Sequence, residues 1–62
     1  MTRLTNEEVA DLLRLQKLLR EQQRALVLAA AKGTALPPRR AIQEIAELES
    51  AIVATDAVLQ DG

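Results

Sequence analysis

"GTALPP", residues 33–38, decides how this chain folds. It is the one internal stretch where glycine and proline gather, and residues 1–32 and 39–61 on either side contain neither. Leu36 and Pro37 each precede a proline and are pushed toward extended backbone. Pro38 fits the first position of a helix, where its missing N–H costs nothing. Gly33 follows Lys32 as a helix stop should. A short connector between two long helices produces an antiparallel hairpin.

Upstream, "LTNEEV" (4–9) carries a complete helix start. Thr5 can cap, Glu8 three positions on completes a capping box, and Leu4 and Val9 occupy the staple positions. Glu7, Glu8 and Asp11 suit the positive end of the helix dipole. The expected organisation is a single domain over 1–62, with one helix over about 6–32, a hinge at 33–37 and a second helix over about 38–60. The terminal "QDG" is expected to fray.

The faces of these helices set the need for partners. At about 100° per residue, Leu12, Leu15, Leu18, Leu19, Ala25, Leu26, Ala29 and Ala30 fall within about 140° of the first helix. Val9 and Val27 widen that arc to about 200°, while Arg14, Lys17, Arg20, Glu21 and Arg24 take about 120° opposite. Ile42, Ile45, Leu48, Ile52, Val53 and Leu59 form an arc of about 140° on the second helix. One neighbouring helix cannot cover arcs this wide. Two hairpins packed face to face can, which makes the expected fold all-α, a two-helix hairpin assembling as a dimeric four-helix bundle. Its expected interface holds Leu12, Leu15, Leu18, Leu19, Gln22, Leu26, Ile42, Ile45, Leu48, Ile52, Val53 and Leu59.

Several polar residues interrupt the pattern. Gln22 and Gln23 lie in or beside the first arc, with Gln16 near its edge; they form either a wet boundary or a buried polar layer that sets register. Glu49 and Asp56 fall inside the second arc, where an unpaired carboxylate would be costly. In a hairpin folded near residue 35, Asp56 comes level with Arg14, and Arg20 and Arg24 flank the level of Glu49. Arg14, Arg20 and Arg24 are therefore the expected ion-pair partners of these acids, within the hairpin or across a dimer. Arg39 and Arg40 sit where a helix prefers acids. They serve either the Arg40–Glu44 pair, spaced i, i+4, or a basic corner with Lys32 that holds a partner's carboxylate or phosphate.

Composition narrows the function. The chain has no Cys, His or aromatic residue, so disulfides, a structural zinc and aromatic anchors are all absent. Di-iron bundle sites use Glu-x-x-His pairs, which this chain cannot supply. The only serine, Ser50, has no evident base beside it. No cofactor and no catalytic activity are expected. The longest apolar run, "ALVLAAA" (25–31), is too short for a membrane span. The N-terminus shows no basic region followed by an apolar run, so a soluble, cytoplasmic protein is expected. Net charge is −1, but it is sorted: residues 12–33 hold five cations against one acid, and residues 41–62 hold five acids and no cation.

In outline such a chain is similar to two families of small helical hairpin. One is the Rop family of plasmid RNA-binding hairpin dimers. The other is the hairpin protein of the large ribosomal subunit near the exit tunnel, which "TNEEV" (5–9), "LLREQ" (18–22) and "AAAKGTAL" (29–36) resemble. The latter resemblance implies RNA contact through a strongly basic second helix, whereas this chain carries Glu44, Glu47, Glu49 and Asp56 there. No signature motif of either family is present, and the chain is assigned to neither. The expectation is a non-enzymatic, self-associating hairpin that works by protein–protein interaction, as scaffold, adaptor or small regulatory subunit. Two alternatives stand beside it. One is an obligate subunit completed by a different chain. The other is nucleic-acid binding through the basic face of Arg14, Lys17, Arg20 and Arg24, disfavoured by the missing aromatics and net positive charge.

Overall fold

A computed structural model describes residues 3–61. Two helices account for most of them, α1 over Asn6–Ala31 and α2 over Arg39–Asp61, and no strand occurs among the described residues. α1 begins as its local sequence dictates. The Glu8 N–H donates to Thr5 Oγ1 at 3.0 Å, and the Thr5 N–H donates to Glu8 Oε1 at 2.9 Å. Two otherwise orphaned donors are thus satisfied reciprocally. Thr5→Ala is expected to cost about 1 kcal/mol in thermal unfolding followed by circular dichroism.

The hinge works differently from the expected glycine stop. α1 ends on Lys32 in right-handed helical conformation, and Gly33 closes the turn by donating its N–H to the Ala30 carbonyl at 3.3 Å. Gly33 does not have a positive φ. A Cβ added there would lie 3.6 Å from the Ala30 oxygen and 3.8 Å from the Ala35 oxygen, so nothing at this position demands glycine. Pro38 also sits one step earlier than expected. It precedes α2, and its carbonyl accepts from the Ala41 and Ile42 N–H groups at 3.0 and 3.2 Å. α2 extends through Gln60 and Asp61, while Gly62 lies outside the described residues.

The helices run antiparallel. Gln16 meets Thr55 and Asp56, and Gln23, two turns further along α1, meets Ile45 and Glu49. The least exposed positions of α1 are Val9, Leu12, Gln16, Leu19, Gln23, Leu26 and Ala30. Along α2 they are Ala41, Ile45, Leu48, Ile52, Thr55 and Leu59, flanked by Ala51 and Asp56. Both series alternate steps of three and four residues, the heptad spacing that keeps one stripe against a partner helix.

That seam makes a thin core. Ile52, 2% exposed, is the only buried apolar residue among those described, and Thr55, at 8%, is the only buried polar one. Thr55 Oγ1 donates to the Ile52 carbonyl at 2.8 Å and accepts from the Gln16 amide at 3.2 Å, so its hydroxyl is satisfied. The hairpin measures 48 × 17 × 13 Å with a radius of gyration of 14.6 Å. A compact domain of this length would have a radius of about 10.6 Å.

Candidate functional site

The hairpin presents two broad faces, and they differ in chemistry. On one, polar side chains bridge the seam. The Gln16 amide donates to both Thr55 Oγ1 and the Asp56 carboxylate. Arg20 approaches the other Asp56 oxygen at 3.5 Å. Two turns nearer the hinge, Gln23 donates to Glu49 at 2.9 Å and to the Ile45 carbonyl at 3.5 Å. Gln16 and Gln23 thus lie in the seam itself, each tied to a carboxylate on the opposite helix. Gln22 lies outside the seam and is exposed.

This ladder revises the expected ion pairs. Arg14 does not reach Asp56; it pairs with Asp11 on its own helix at 2.6 Å. A residue three positions back is always within reach of an exposed helical arginine. Glu49 takes Gln23 rather than Arg20 or Arg24, because Gln23 sits at the seam while Arg24 is turned about 100° away from it. Among the described residues only Arg20–Asp56 forms as a cross-helix pair, and it is partly solvated, with side chains 56% and 45% exposed. A pair that wet contributes little. Asp56→Asn should change stability by less than about 1 kcal/mol in urea denaturation.

On the opposite face no side-chain hydrogen bond crosses the seam among the described residues, although Gln22, Glu44 and Glu47 lie along it. Two depressions lie there and share Leu26. One, about 280 Å³, is lined by Gln22, Leu26, Glu44, Glu47 and Leu48. The other, about 430 Å³, runs from Leu26 and Ala29 past the hinge to Ala41. Leu36 on its rim is 84% exposed. Helical spacing places Leu15, Leu18, Gln22, Ala25 and Ala29 of α1 on this side, with Ala51 and Val58 of α2. Leu18 is 58% exposed, and Leu15 and Val58 are each 45% exposed.

The expected interface residues therefore divide. Leu12, Leu19, Leu26, Ile45, Leu48, Ile52 and Leu59 are spent on the seam of the hairpin, whereas Leu15, Leu18, Gln22, Ile42 and Val53 remain exposed. Ile42 and Val53 flank the polar ladder. Lys32, Arg39 and Arg40 are all exposed, and none of them forms an ion pair among the described residues.

No group of three or more acids or other metal-binding side chains converges among the described residues. No helix of the described residues is long and apolar enough to cross a membrane. The chain matches no protein-family profile, no curated protein and no solved structure.

Proposed function

We propose that this chain is a non-enzymatic, self-associating helical hairpin whose work is protein–protein interaction, assembled as a homodimeric four-helix bundle. One observation carries the reading: the single chain leaves its apolar arcs largely uncovered. Its accessible surface is 5190 Å². A compact monomer of this mass would expose roughly 4,000 Å². The excess of about 1,200 Å² is comparable to the ~800 Å² that each partner buries in a stable protein interface. Exposed Leu15 and Leu18 on one side of the seam, and Ile42 and Val53 flanking the other, supply apolar surface for such burial.

A scaffold, adaptor or small regulatory subunit fits a bundle of this kind, and a cytoplasmic setting suits a fold that relies on no disulfide. Size-exclusion chromatography with light scattering at two concentrations, with circular dichroism on the same samples, tests the reading. A helical dimer at both concentrations is the expected result. A monomer with weak helicity would overturn it in favour of an obligate subunit completed by a different chain. Nucleic-acid binding has less support, because two cations of the basic face, Arg14 and Arg20, are already engaged by Asp11 and Asp56.

A further inference from the structure

We draw no further inference here: the strongest candidate, the open apolar groove beside the hinge that runs from Leu26 to Ala41 with exposed Leu36 on its rim, continues into Glu44 and Glu47, and nothing in the structure shows what covers it.

Discussion

Ile52→Ala should abolish most of the helical signal at room temperature. Ile52 is the one buried apolar side chain among the described residues, and by the register of the seam it faces Leu19. Truncating a buried isoleucine to alanine costs about 2–5 kcal/mol, through lost transfer energy and the cavity left behind. A domain this small has about 3–5 kcal/mol in total from its core. Circular dichroism at 222 nm against temperature and urea measures the loss. Val53→Ala, one residue away but 56% exposed, is the matched control and should cost less than about 1 kcal/mol if the seam alone holds the hairpin. A larger loss at Val53, reduced at low protein concentration, would mean that a second copy covers that side.

The second large effect concerns the side of the seam that carries Leu15 and Leu18. If the proposed dimer buries that side, Leu18→Glu should raise the dimer dissociation constant by about a thousandfold, since a twofold assembly meets the new carboxylate twice at about 2–3 kcal/mol each. Within a single chain Leu18 is 58% exposed and leans on little, so the substitution should barely alter an isolated hairpin. That contrast makes the measurement informative. Sedimentation equilibrium on the variant should show dissociation at concentrations where the parent chain is dimeric. Unchanged association would exclude this face from the interface and direct attention to Ile42 and Val53.

How much of this could be read in advance depends on the distance over which each feature is determined. The capping box is set by residues from Thr5 to Glu8, and the structure contains both of its hydrogen bonds. The hinge was equally local, since two prolines and one glycine leave little choice of where the chain turns. Its details were not. Sequence alone cannot tell a left-handed glycine stop from a plain turn, and Gly33 makes the plain turn.

The seam was harder, for a geometric reason. The apolar arc of α1 adds together the stripe that faces α2 and the stripe that faces nothing in this chain. Its midpoint therefore lies about 70° from the real line of contact. Gln16 and Gln23 looked peripheral against that average and are central to the seam. The heptad spacing of Val9, Leu12, Gln16, Leu19, Gln23, Leu26 and Ala30 was the signal that would have located them. Ion pairs were the least legible. The level of Asp56 was right to within a turn, but a local acid took Arg14, and a glutamine at the seam took Glu49.

The seam is also graded, from Ala30 and Ala41 beside the hinge, through Leu26 and Ile45, to Leu12 and Leu59 at the free end. This shapes the order of events in folding. Closing the hinge brings together two methyl groups and little else, so the first contacts return almost none of the entropy that closure removes. A real gain begins only when Leu26 reaches Ile45, and the largest waits for Leu19 and Ile52. Both helices must therefore be partly formed before they zip. Their capping, rather than the turn between them, sets how often an encounter succeeds. A chain built this way stays open until its helices are ready, and while it is open each helix offers its stripe to whichever copy is nearest.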